Sequence, residues 1–414
     1  MNRVRASYGV VVCCACVALA LPAFSEGTAS LVTPGNGALL YYQALLIRPE
    51  PNDATRRAMN RVLRGEDPDD CARSYLKLRS TANAIALMDA GARAPQCDWG
   101  VLHSRGETLD PIVVGALRNL SLLLELDARV LAYSRQYRGA LDKCLSMRRL
   151  ASHLSDGTLM PYECYLLVDL RALKCIRQIL GSMPLDLDTL TWLQGHLAVQ
   201  RTAASTASAL ELTRDYMAKY LYANPPELRR RRKQFVSAAT ESGAAEDLLS
   251  NLTDQEFLER SLAAYDKFLY AVLRIFGGDM PYEDKYAELD ALRRKPTDII
   301  ARDDPIIMPI VAEQIATCYT LQVHHAAYLN AVKAALEVYR VVAETGQLPE
   351  EPPPFLPSDP FSGSDFVYER ADKSFTFRCR SRDIFASEKR YFEPDEPPAI
   401  GNTIQSYEFT VAEE

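Results

Sequence analysis

Histidine is scarce in this chain, with five residues among 414. Only His324 and His325 adjoin, and neighbouring residues on a helix diverge by about 100°. Two metal ligands on one helical face need a spacing of three or four instead. His325 also falls in an apolar stripe with Cys318, Leu321, Leu329, Val332, Leu336 and Tyr339, which reads as a core position. No Gly-x-Ser-x-Gly, glycine-rich phosphate loop or His-Glu-x-x-His occurs, so the usual nucleophile-elbow, nucleotide and zinc-protease signatures are excluded. Ser242-Gly243 and Ser362-Gly363 fall in turns with no strand before them. Beyond residue 25 there is no Cys-x-x-Cys, which removes the zinc-ribbon and thioredoxin-like readings. No residue is assigned a catalytic, cofactor-binding or metal role on this basis.

Long apolar runs are missing after the first 25 residues, and there the exception decides the compartment. Arg3 and Arg5 precede an apolar run from Tyr8 to Leu21, and Ala23-Phe24-Ser25 follows the small-x-small rule of a cleavage site. This is the layout of a secretory signal, residues 1–25. The run is about 14 residues, short of the ~20 that span a bilayer. An uncleaved leader acting as an anchor is the alternative, as is lipidation at Cys13, Cys14 or Cys16. We expect an exported protein, periplasmic or extracellular, without a transmembrane helix once the leader is gone.

Cleavage removes two arginines and leaves 45 basic against 54 acidic residues. An acidic exported chain has no electrostatic footprint for nucleic acid. With 48% hydrophobic residues and only 19 glycines, the chain can bury a sizeable core and does not read as disordered. Seven cysteines follow the leader: Cys71, Cys97, Cys144, Cys164, Cys175, Cys318 and Cys379. The odd number leaves at least one thiol over. Cys71 and Cys97 flank an expected helix from Asp69 to Ala92, on the order of 35 Å long and beyond disulfide reach. Buried thiols acting as small apolar residues are the simpler reading.

From Ala38 to about Thr345 the pattern is helix after helix. Asp110-Pro111 caps and starts one of them, with Val113, Leu117, Leu120, Leu124, Ala128 and Leu131 as its stripe. The chain turns back through Arg135–Gly139 into a helix over 137–153, a tetratricopeptide-like hairpin without a clean 34-residue period. Tyr162–Leu180 is apolar on most of its circumference, as a central helix would be. Thr253-x-x-Glu256 is a capping box, and Gly277-Gly278 should end that helix through a left-handed glycine. Asp186 and Asp188 suit a helix start, Asp303-Asp304 a cap or turn, and Glu313 reaches His324 only if the chain folds back.

At Gly346 prolines take over: Pro349, Pro352, Pro353, Pro354, Pro357 and Pro360. Phe366–Tyr368 and Phe375–Cys379 then alternate around Arg370–Lys373, which predicts a β-hairpin. Residues 384–414 are Pro- and acid-rich, open to disorder, although Ser406–Val411 has the pattern of a further strand. The expected fold is therefore mainly α, an irregular stack of antiparallel, TPR-like helical hairpins. The expected domains are a helical domain over 26–345, a hairpin appendage over 346–383 and a tail over 384–414.

Two resemblances add to this. Residues ~312–383, with Tyr339-Arg340, Gly346-Gln347-Leu348-Pro349 and the Asp359-Pro360-Phe361-Ser362-Gly363 turn, resemble the globular region of type II secretion major pseudopilins. In that family a long helix runs through these turns into a small antiparallel sheet. The resemblance implies a local fold only, since some 310 residues precede it and the acidic calcium-binding loop is missing after Arg382-Asp383. Ala38–Ala44, Cys97-Asp98-Trp99-Gly100 and the 137–153 helix are similar to a group of uncharacterised bacterial exported helical proteins, which carries no activity to transfer.

Arg229, Arg230, Arg231, Arg232 and Lys233 form the one strong charge run. The first reading of this run is a solvated helix face; contact with anionic lipid, cell-wall polymer or an acidic partner is the alternative, which gains a little because basic residues early in a helix oppose its dipole. With Tyr368 and Phe375 on the hairpin they are the candidate interaction residues. The functional expectation is a binding or scaffolding protein of the cell envelope. The alternatives are an envelope hydrolase with a His/carboxylate site between helices and an accessory partner of a type II secretion-like system. Oligomeric state is not encoded in any pattern we find.

Overall fold

Local signals set most helix ends. Asp110 accepts from the Ile112 N–H at 2.7 Å with Pro111 in the first turn, and Asp186 accepts from the Thr189 N–H at 3.1 Å. Thr253 and Glu256 bond reciprocally at 2.8 and 3.2 Å, a complete capping box. The chain is described here by a computed structural model covering residues 35–155, 157–199, 204–241, 251–294, 309–383 and 403–412. The leader, Asp303-Asp304 and the side chain of Glu313 lie outside the described residues.

Among the described residues there are 13 α-helices and three strands. The helices are α1 (Gly37–Ile47), α2 (Asp53–Leu63), α3 (Asp70–Lys77), α4 (Arg79–Arg93), α5 (Pro111–Tyr133), α6 (Tyr137–Leu154) and α7 (Leu159–Leu180). They continue as α8 (Leu187–Ala198), α9 (Thr206–Ala223), α10 (Pro225–Glu241), α11 (Asp254–Gly277), α12 (Tyr282–Arg294) and α13 (Pro309–Thr345). The expected helix across 69–92 is two helices, broken at Leu78, whose ψ of 131° leaves the helical region. Helix α11 ends at its glycines as expected, but Gly278 is extended (φ −68°, ψ 147°), not left-handed.

Consecutive helices α5, α6 and α7 pack on one another through short turns, α1 and α4 extend the layer from α6, and α9 and α13 cover α7. Close approach of α1 and α4 depends on Gly91, where a Cβ would sit 2.8 Å from the Tyr41 ring. The α5–α6 turn is a Schellman cap: the Arg135 N–H bonds the Ala132 carbonyl and the Gln136 N–H that of Leu131. Its left-handed residue is Arg135 (φ 61°), where glycine is usual. Helix α7 is the central one; Leu166, Leu170, Leu173, Ile176 and Ile179 are all buried.

The hairpin is part of a larger element. Strands β1 (Val367–Arg370), β2 (Ser374–Asp383) and β3 (Thr403–Thr410) form an antiparallel sheet in that order. Thus part of the 384–414 tail is ordered, because β2 presents an edge that β3 pairs, placing Phe409 opposite Phe375 and Tyr407 opposite Phe377. Phe375, Phe377, Cys379, Tyr407 and Phe409 bury one face against α13. Tyr339 on α13 donates its hydroxyl to the Thr410 carbonyl at 2.7 Å. The sheet shares the main hydrophobic core with most of the helices, while Leu221, Leu228, Phe257 and Leu258 form a smaller cluster of their own, so the boundary at 345/346 separates two kinds of secondary structure, not two cores.

Asp359 anchors the turn that leads into the sheet. Its buried carboxylate accepts from the Phe361 N–H (2.9 Å), the Ser362 hydroxyl (2.7 Å) and the Arg380 N–H (2.9 Å). Three donors satisfy a charge that would otherwise be costly to bury.

Candidate functional site

The chemistry of the interior converges where α6, α7 and α13 meet. Arg148 lies three and seven residues after Leu145 and Leu141, on the apolar stripe of α6. Asp169 lies between Leu166 and Leu173 on that of α7. Folding therefore drives both charges inward, and their side chains are 3% and 0% exposed. Arg148 Nε donates to Asp169 Oδ1 at 2.7 Å and Nη2 to Oδ2 at 3.1 Å, a bidentate fork. His325 of α13 completes the cluster, its Nε2 lying 2.7 Å from Asp169 Oδ2. Tyr165 packs beside it with ring centroids 5.6 Å apart.

Burial pushes the Asp169 carboxyl up, but the Arg148 charge and the hydrogen bonds from His325 and Arg148 outweigh it and hold the group well below the usual carboxylate range. Asp169 is therefore an anion, and the His325 Nε2 carries the hydrogen that it donates. Arg148 keeps its charge against desolvation through Asp169, while its Nη1 is buried without a hydrogen-bond partner. Lys333, two turns beyond His325, is pushed down by burial and by the neighbouring Arg148 charge. Both Asp169 oxygens are engaged, so a His–Asp pair exists but its carboxylate is shared with a permanent cation.

His325 is thus buried as the stripe implies, with a specific partner the stripe does not reveal. His324 points elsewhere, edge-on to Phe361 at 5.1 Å. A second interior cluster sets Lys143 between Asp89 and Asp127, the latter at 3.1 Å. A third joins Glu125 to Arg129 at 2.7 Å and to Arg171 at 3.4 Å.

Three segments far apart in the chain meet around His153. Its Nδ1 lies 2.9 Å from the Tyr41 hydroxyl, and its carbonyl accepts from the Trp99 indole at 2.6 Å. Tyr41 stacks on Trp99 at 5.8 Å, and Tyr42 meets the same ring edge-on. Cys97, beside them, is pushed up to about 12 by burial and by Asp98, which makes it a poor nucleophile. The seven cysteines among the described residues are all free thiols, five of them buried.

The basic run lies on α10. Arg230 and Arg231 reach Glu227 at 2.6 and 2.9 Å, and Arg229 and Arg232 reach Asp254 at 3.7 and 3.0 Å. Lys233 is exposed. Four of the five cations thus share two carboxylates, which lessens the field they offer a partner. On the sheet, the Tyr368 hydroxyl donates to the Pro349 carbonyl at 3.0 Å. Phe375 is 1% exposed, stacked on Phe409 at 5.3 Å, so its ring offers no free face to a partner. The fold does not bring the basic run and these two aromatics into one ion-paired or stacked group.

No family model, curated protein or solved structure matches this chain. Residue chemistry, not kinship, carries the functional reading. Among the described residues no group of three or more His, Cys, Asp or Glu side chains is arranged to hold a metal ion, and no helix is long and apolar enough to cross a membrane. The sequence foreshadows the Arg148–Asp169–His325 cluster by one signal that no catalytic motif contains, charged residues set squarely on apolar stripes.

Proposed function

We propose that this is an exported cell-envelope protein that binds or scaffolds a protein or envelope-polymer partner. The observation that carries the reading is the closed state of its interior charge. The histidine–carboxylate pair at the centre is clamped by Arg148, as Lys143 is between Asp89 and Asp127. Such clusters fasten helices at defined angles and favour a rigid frame over a reacting centre. A stack of short-looped helices also presents grooves and loop tips suited to macromolecular partners. The leader motif supports export.

Affinity recovery from envelope extract, with the full mature chain as bait, tests this. A specific partner is expected. Recovery of none, together with turnover of a small substrate, ends the reading.

A second reading, a hydrolase using His325 as base, draws on the 2.7 Å contact with Asp169. It requires a substrate to reach a histidine that is 7% exposed. Hydrolysis abolished by His325→Gln with the helical signal intact would favour it.

A further inference from the structure

Phe355 combines two unfavourable features. Its side chain is fully exposed, at 101% of the reference area, and its backbone is left-handed at φ 63°. Single exposed apolar residues are ordinary, and left-handed non-glycine residues are uncommon. A bulky aromatic that is both is a strained residue on display. Among the described residues the other left-handed non-glycine residue, Arg135, is accounted for by its helix cap; Phe355 caps nothing. It follows Pro354 in a turn, and proline followed by a left-handed residue is the order in which a type II turn uses glycine or asparagine.

The loop bearing Phe355 is held on both sides. Tyr368 donates to the Pro349 carbonyl at 3.0 Å and Arg370 to that of Leu348 at 3.1 Å. On the far side Asn330 of α13 donates to the Ser358 carbonyl at 2.9 Å. Leu348 and Leu356 pack on the core, and Pro352, Pro353, Pro354 and Pro357 restrict the remainder. The backbone that carries the ring is therefore held in place, so little main-chain freedom is lost on binding, which is the part of the ordering cost that preorganisation removes.

Charge indicates the occupant. From Val341 to Glu369 the chain has no lysine or arginine, and Glu344, Glu350, Glu351, Asp365 and Glu369 are exposed, so acidic groups outnumber the exposed Arg370 that holds the loop at the Leu348 carbonyl. An acidic surround disfavours an anionic bilayer and complements a basic rim. We infer that Phe355 is the anchor of a protein–protein contact, inserting into an apolar pocket bordered by lysine or arginine on the partner. This rests on the binding reading above and names the chemistry of the partner surface.

The test uses the full mature chain carrying photoreactive p-benzoylphenylalanine at position 355, irradiated in envelope extract, beside wild-type and Phe355→Gly baits. The expected result is one cross-linked protein, with the link mapped by mass spectrometry to an apolar pocket next to basic residues. Its recovery should fall at least about tenfold with Phe355→Gly, the loss of a hot-spot aromatic, and also fall in 1 M salt. Phe355→Gly should leave the melting temperature unchanged or raise it by up to ~2 °C. Equal recovery of a partner by wild type and Phe355→Gly overturns this inference and leaves the binding reading standing. A link to lipid or to a second copy of the chain overturns it, as does a melting temperature lowered by several degrees. No partner on any bait overturns both.

Discussion

Arginine–carboxylate pairs occur at the centre of this protein and on α10, and the two regions put the same chemistry to different use. Arg148 and Asp169 meet in the core with a bidentate fork, and His325 shares the carboxylate oxygen Oδ2. On α10, Arg230 and Arg231 meet Glu227 at similar distances, but Arg230 is 56% exposed. Hydrogen bonds from Arg230 and Arg231 pull the Glu227 carboxyl down to about 2, yet water and salt screen the pair, and exposed pairs contribute little. In the core, either charge left alone has no water to turn to. Burial, not distance, decides what each pair is worth.

The comparison breaks most visibly at Asp169. Asp169→Ala strands Arg148 in the core and should cost about 3–5 kcal/mol, read as a lowered urea midpoint. Replacing the whole cluster by Arg148→Met, Asp169→Leu and His325→Leu should leave stability near wild type or above it, since a packed apolar set often matches a buried ion cluster. A loss as large as that of the single variant would refute the account. His325→Leu alone removes one hydrogen bond to a charge that keeps its arginine, and about 1–3 kcal/mol should go.

Acid sharpens the same contrast. A carboxyl held below its unfolded value adds stability that is complete above about pH 4 and vanishes as pH falls through the folded-state value. The Asp169 contribution should therefore persist well below pH 4 and be insensitive to 1 M salt. Glu227 titrates with the same sign, but its small contribution should be erased by that salt. Equal salt sensitivity of wild type and Asp169→Asn across pH 2–5, roughly the range bounded by these carboxyl values, is expected. Glu227→Gln should shift thermal stability by less than about 1 kcal/mol. Arg135→Gly at the Schellman cap should act in the opposite direction, a gain of about 0.5–1 kcal/mol from relieving a left-handed arginine.

Patterns of three and four residues made the helices legible, and caps at Asp110, Asp186 and Thr253 marked where they begin. These signals are local, acting within one turn of chain. The break at Leu78 carries no proline or glycine to announce it. The third strand was visible as alternation in Ser406–Val411, but its pairing with β2 needed the edge it completes. At the site, the stripe of α13 put His325 inside, while nothing in that stripe names Asp169, 156 residues away. Phe355 was legible only as one apolar residue among prolines; its left-handed backbone and full exposure are properties of a turn pinned by Tyr368, Arg370 and Asn330.

Composition and periodicity by themselves determined that this protein is mainly helical, that α7 lies at its centre, and that aromatic strands follow the last helix. The signal-like pattern of residues 1–25, on which the expectation of export rests, is likewise a reading of sequence alone. Tertiary structure alone decided which charges on different helices become partners, because such a pair depends on separation in space and on exclusion of water, whereas spacing along one helix already pairs Glu227 with Arg230 and Arg231. It likewise decided that Arg148, Asp169 and His325, from three helices, meet one another in the core.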